Sequence, residues 1–289
     1  MARGLDHIVH AVRDLDAAAA LYRRLGFTVG SRNRHPPEWG TENHIVQLPG
    51  VYLELLGLGD TARIVPHRAR HFSFGAYNRD FLARGEGLAM LALEGSGAPD
   101  ADAFRAAGIG DFEPFEMARD ARRPDGTTVR LAFTLTFARD LKSPDLGVFT
   151  IRHHFPEHFW NPALQVHANT ATAVAGVVLV ADNPSDHHIF LSAFTGEREL
   201  LATSAGITVK TSRGEIQVFT STAFHDHFGT PPPGTAGGAR LAALRFAVRD
   251  RDALLAALEA GKVRSSQAMG RVVVGPEVAL GATLAFEGN

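Results

Sequence analysis

His7 and Glu54 are the residues whose types and spacing could do chemistry. Each lies in an apolar stretch with the character of a strand, residues 5–12 and 51–56 of one short unit. An imidazole and a carboxylate on one concave face of a small sheet are two thirds of a divalent-metal site. The chain has no cysteine, so thiolate ligands, disulfides and a cysteine nucleophile are excluded together. Metal binding would have to draw on the 14 histidines and the carboxylates, a set suited to borderline or hard divalent ions.

The rest of the composition sets the class. With 289 residues, 45% hydrophobic and 21% charged, the chain can bury a full core. A formal charge of -2 gives no long-range pull toward nucleic acid or an anionic membrane. No stretch approaches 18 uninterrupted apolar residues, and the N-terminus has no apolar signal region, so a cytoplasmic protein is expected.

A repeated unit must position the two residues. After 5–12, Asp14 can cap a helix over 17–25, with Leu21, Tyr22 and Leu25 on one stripe and Gly26 as its stop. Residues 27–31, 44–48 and 51–56 read as three more strands, giving the order βαβββ. The order recurs over 87–153, 174–220 and 241–286. The junction Val12-Arg13-Asp14 returns as Val180-Ala181-Asp182 and Val248-Arg249-Asp250, an apolar strand end meeting a capping aspartate. Three strands in a row after each helix predict an α+β fold with an antiparallel-rich sheet. Four units predict two domains: 4–155, from units 4–60 and 86–155, and 165–289, from units 167–228 and 238–289. Residues 155–162 join them, and the proline-rich 230–234 is a stiff connector.

This organisation resembles the vicinal oxygen chelate superfamily, which includes glyoxalase I, extradiol dioxygenases, fosfomycin-resistance enzymes and bleomycin-binding proteins. Asp6-His7-Ile8-Val9-His10, Leu21-Tyr22-Arg23-Arg24-Leu25-Gly26-Phe27 and Val51-Tyr52-Leu53-Glu54-Leu55 carry the resemblance. Trp39-Gly40-Thr41-Glu42-Asn43-His44, the segment from His153 to Trp160, and His167-Ala168-Asn169 are similar to bacterial proteins grouped as a glyoxalase-like domain. The resemblance implies two open-barrel domains, each built from paired units, with metal ligands on the first and fourth strand of a unit. Strand alternation then places His7 in the cup with Tyr52 and Glu54, and turns His10 under the helix.

The second unit offers no ligand on its first strand. In its fourth, setting Phe149 and Ile151 under the helix puts Thr150, Arg152 and His154 in the cup. His154 is then the third ligand, and His153 replaces it if a bulge shifts the strand. Arg152 would hold a carboxylate or enolate oxygen, while Asn43, His44, Tyr52 and His153 would contact substrate. In the second domain Ala175 and Gln217 stand at the places of His7 and Glu54, and the fourth unit offers only Glu287. That half is expected to be a degenerate copy that shapes the pocket or supports a homodimer interface.

The function implied first is a metal-dependent lyase or isomerase of glyoxalase type. His7, Glu54 and His154 would hold Zn²⁺, Ni²⁺, Mn²⁺ or Fe²⁺, and the ion would chelate two neighbouring oxygens of a small substrate. Glu54 would serve partly as the base. The alternatives are extradiol ring cleavage at a 2-His-1-carboxylate iron and metal-free sequestration of an antibiotic or flat aromatic ligand. The partner is a small molecule in each case, with no nucleic acid or membrane. Should the first unit pair with the third, Gln217 would take the place of His154.

Overall fold

The first unit folds from signals that lie close together in the chain. Leu5–Ala11 forms β1, buried along its whole length. Asp14 accepts a hydrogen bond from the Ala17 amide at 2.9 Å and caps α1 (Leu15–Arg24), whose Leu15, Ala18, Leu21 and Tyr22 turn inward. Gly26, at φ 86, ends the helix in a conformation a side chain would resist. Then come β2 (Asn33–Arg34), β3 (Thr41–Leu48) and β4 (Val51–Leu58). Residues 27–31, expected as a strand, join no ladder. Phe27 is drawn instead against Phe246, 5.1 Å between ring centres, and the two-residue β2 forms the sheet edge.

The second unit comprises α2 (Phe74–Arg84), β5 (Gly87–Glu94), α3 (Ala98–Ala106), β6 (Phe115–Arg122), β7 (Thr128–Ala138) and β8 (Gly147–His153). The computed structural model describes residues 2–122 and 126–288. Strand order in the first sheet is β2-β3-β4-β1-β5-β8-β7-β6. Within each unit the first and fourth strands run parallel, and β1 pairs antiparallel with β5. The first unit therefore pairs with the second, so Gln217 does not enter this sheet. The sheet curls until its two edges approach, and the Trp39 ring reaches Phe115 at 5.0 Å.

A short α4 (Pro156–Phe159) leads to the second half. Its elements are β9 (Ala171–Val180), α5 (His188–Thr195), β10 (Leu200–Thr203), β11 (Gly206–Lys210), β12 (Glu215–Phe219), α6 (Ser221–Phe228), β13 (Arg240–Val248), α7 (Arg251–Ala260), β14 (Ser266–Ala268), β15 (Arg271–Val274) and β16 (Thr283–Gly288). The strand order, β10-β11-β12-β9-β13-β16-β15-β14, repeats that of the first sheet. Four βαβββ units thus build two curled eight-stranded sheets, the expected α+β architecture.

Each sheet buries both faces, and the two faces do different work. The helix-side faces of both sheets merge into one apolar cluster, running from Ile8 and Leu21 through Phe27 to Phe246 and Phe286. The concave faces stay separate. In the first, α2 inserts Phe74, Phe81 and Leu82 against Val9, Ala11 and Leu56. In the second, α6 inserts Phe224 and Phe228 against Val178 and Val180. Gly75 lets α2 press on the Trp39 backbone, since a Cβ there would lie 2.0 Å from the Trp39 carbonyl oxygen. No helix among the described residues is long and apolar enough to cross a membrane.

Candidate functional site

The β1–β4 ladder assembles the site. His7 pairs with Tyr52 and Val9 with Glu54, so alternation sends His7, Tyr52 and Glu54 together into the first cup. All three are buried. The His7 ring stacks on Tyr52 at 4.3 Å and meets the edge of Phe149 at 5.2 Å. His10 turns the other way, as expected, with Nδ1 bonded to the Tyr22 hydroxyl and Nε2 to the Leu280 carbonyl. Burial holds the His10 imidazole down at about 4, a neutral ring in the core.

Asp6 comes from an irregularity that alternation does not foresee. The β1–β5 register slips between Leu5 and His7, and Asp6 is the residue left over. Its carboxylate accepts from His7 Nδ1 at 2.7 Å and lies 3.2 Å from His153 Nε2. Burial pushes Asp6 upward, and the bonds from His153 and His7 outweigh it, holding the group at about 2. Commitment of Nδ1 to Asp6 directs His7 Nε2 toward Glu54, 3.9 Å from Oε2.

Glu54 is held from its other side. Asn43 donates to Oε1 at 2.6 Å, and His35 Nε2 lies 3.2 Å from the same oxygen. Burial alone would raise this carboxyl, but contact with His35, His7 and Asn43 keeps it below its ordinary value, so it is ionised at neutral pH. The cavity above these groups encloses about 530 Å³ of empty space, part of it open to solvent. Its walls are aromatic and apolar, including Trp39, Phe74, Phe133, Phe149 and Phe159. Burial and the charges of Asp6 and Glu54 raise Tyr52 well above its usual value, keeping the phenol neutral.

Three expected site residues lie elsewhere. Phe149 and Ile151 face the cup, which sends Thr150, Arg152 and His154 to the opposite side. There Thr150 donates to Asp100 of α3 at 2.9 Å, exposed Arg152 reaches the Ser96 carbonyl, and exposed His154 bonds Thr134 at 2.8 Å. The expectation for His154 and Arg152 fails because this cup is lined with apolar side chains, so hydrophobicity no longer marks the helix side. His44 likewise turns outward and bonds the Gly30 carbonyl. His153, the alternative, is the histidine that turns inward to Asp6.

His154 lies outside the cup and His153 turns its Nε2 to Asp6, so neither completes a metal site with His7 and Glu54. Among the described residues, no group of three or more His, Asp or Glu side chains is arranged to hold a metal ion. His7, Glu54 and, from the β2 side, His35 bring donors to the cavity, and the corresponding surfaces of β5 and β8 carry Ala92, Phe149 and Ile151. His7, His35 and Glu54 bring two imidazoles and a carboxylate to one cavity, but their side chains are not arranged as a metal site.

The second cup follows the same ladder with other contents. Gly176 pairs with Glu215 as His7 pairs with Tyr52, and Val178 pairs with Gln217 as Val9 pairs with Glu54. Gly176, not Ala175, is therefore the counterpart of His7. Arg245 opposes Gly176 across the β9–β13 ladder and fills the vacated space. It donates to Gln217 at 2.8 Å, to Glu287 at 2.6 Å and to Glu215, and Arg271 joins Glu287 at 2.7 Å. Glu287 is bound into β16.

A family model for the glyoxalase-like domain matches residues 5–195. The chain belongs to this family. Its paired barrels place this glyoxalase-like protein in the vicinal oxygen chelate superfamily. A hypothetical protein from Staphylococcus aureus superposes with a TM-score of 0.66 at 10% identity, over 99% of this chain and 100% of that one. A mutant 4-hydroxymandelate synthase from Streptomyces coelicolor gives 0.56 at 12% identity, over 99% and 92%. A fusion of a xylose isomerase-like TIM barrel with a 4-hydroxyphenylpyruvate dioxygenase gives 0.51 at 13%, over 92% of this chain and 40% of the other. Identities this low speak to fold alone. No curated protein matches the chain.

Asp6 and His35 were not legible as site residues. Asp6 depends on a register slip that leaves no mark in the sequence. His35 precedes Pro36-Pro37 and Trp39, and a histidine entering a rigid turn beside an aromatic was the available signal.

Proposed function

We propose that the first cup is the active site of a glyoxalase-type lyase or isomerase that moves a proton on a small substrate. One observation carries this reading: His7 Nε2 and Glu54 Oε2 stand 3.9 Å apart, too far for a hydrogen bond, above an apolar cavity. A substrate atom can enter between them. Glu54 accepts the proton from a carbon next to a carbonyl. A ligand seated over the carboxylate removes water from it and raises its basicity from the low value it holds alone. Glu54 returns that proton at the neighbouring carbon, while His7, with Nδ1 tied to Asp6, uses Nε2 to take the hydroxyl proton and pass it to the neighbouring carbonyl oxygen. Asn43 and His35 keep the carboxylate oriented. No step here is routed through an ion.

The test is deuterium incorporation from D₂O into small 2-hydroxy ketones and 2-oxo acids, followed by NMR. Wild-type protein should exchange the acidic hydrogen of at least one substrate. Glu54→Gln should slow that exchange about 10²–10⁴-fold with its circular dichroism unchanged. Equal exchange by both proteins would sink the role given to Glu54. The aromatic walls favour a second reading of another class, a module that sequesters a flat ligand. Tight binding by wild-type protein with no exchange would select it.

A further inference from the structure

Arg119 is a half-buried arginine with no partner among the described residues. On β6, Phe115, Met117, Arg119 and Ala121 alternate onto the inner face, and the three apolar members pack against the inner cluster of the first cup. Glu116, Ala118 and Asp120 between them are exposed. Arg119 thus rises from an apolar row and lines the same cavity as Glu54 and His35. Other sheltered arginines are paired: Arg3 with Asp100, and Arg245 with Glu215 and Glu287. No hydrogen bond or ion pair joins the Arg119 guanidinium to any described residue. Burial alone acts on it and lowers its pKa, with no carboxylate to compensate.

We propose that Arg119 receives the carboxylate of the ligand, so that the first cup takes small molecules carrying one carboxylate on an aromatic or branched apolar body. The guanidinium fork matches a carboxylate in two parallel hydrogen bonds. A sheltered cation without a counter-ion is costly, and a bound anion relieves that cost. Trp39, Phe74, Phe133 and Phe149 line the same cavity and suit the apolar body. Sequence alternation assigned the anion-binding role to Arg152. That residue lies outside the cup, and Arg119 is the arginine that lines it. This inference deepens the preceding one, since it assumes that the cavity containing Glu54 and His7 is the ligand site.

Matched pairs test it: 3-phenyllactate, 3-phenylpropanoate and 4-methyl-2-oxopentanoate, each against its primary amide, by calorimetry and thermal shift. Wild-type protein should bind at least one acid about ten- to a hundredfold more tightly than its amide. Arg119→Gln should abolish that preference while leaving amide affinity within about twofold, and Arg119→Lys should restore part of it. Equal binding of acids and amides, a preference that survives in Arg119→Gln, or no binding of any pair would each overturn the proposal. Deuterium exchange separates the two inferences. Arg119-dependent binding without Glu54-dependent exchange leaves this one standing and removes the other, and exchange without acid preference does the reverse.

Discussion

In the first cup Glu54 faces His7 across 3.9 Å, beneath an open cavity. In the second, Gln217 stands at the same rung, bonded to an arginine that is clamped by Glu215 and Glu287. One ladder register thus carries two electrostatic outcomes. Arg245 occupies the room left by a glycine where the first cup has His7, and a fixed internal cation meets the carboxylates of its own strands. The first cup closes no such circuit: its arginine has no partner among the described residues, and His7 and Glu54 do not bond one another. Groups that satisfy one another hold a fold together, whereas groups left with unused capacity are available to a ligand. On the function proposed above, the first half is the working copy.

The largest expected effect breaks the second cup. Arg245→Met leaves Glu215 without its partner and Glu287 with Arg271 alone, which should cost roughly 3–5 kcal/mol in urea unfolding. Glu54→Gln, in a cup with spare capacity, should cost no more than about 1.5 kcal/mol. Equal losses would erase the contrast between the copies.

A somewhat smaller effect concerns His10, whose counterpart by ladder register is Leu179. Its folded pKa of about 4 lies below the ordinary 6.5, so the folded state binds fewer protons than the unfolded chain between these values. Stability should therefore fall as pH drops from about 6.5 to 4, by about 3 kcal/mol from this group. His10→Leu should flatten that slope, leaving the contributions of His67, His167 and His227, also lowered by burial. An unchanged slope would show that His10 is not the neutral core residue described.

The smallest effect checks the sidedness of β8. His154→Ala and Arg152→Ala should each shift stability by less than about 0.5 kcal/mol and leave deuterium exchange unaltered. A large loss of exchange in either would return that residue to the cup.

Much of this was legible, and the exceptions share a cause. The cap at Asp14, the stop at Gly26 and the alternation of β1 and β4 placed His7, Tyr52 and Glu54 together and turned His10 away, because one face of each strand had a clear partner. On β8 the same rule misled, since an aromatic cup makes the inner face as apolar as the outer one. The strand β6 escaped notice because Glu116, Arg119, Asp120 and Arg122 give it the composition of a loop. Arg119 was hidden with it. His35 and Asp6 depended on a turn and a register slip, contacts that sequence spacing does not encode.

Where a ligand binds tests the central claim most directly. Crystals of the wild-type protein soaked with the carboxylate that gives the largest thermal shift should show it in the first cup alone, its carboxylate on Arg119 and its body against Trp39 and Phe74. Density beside Arg245 in the second cup, or a ligand in the first cup with its carboxylate turned away from Arg119, would contradict the account.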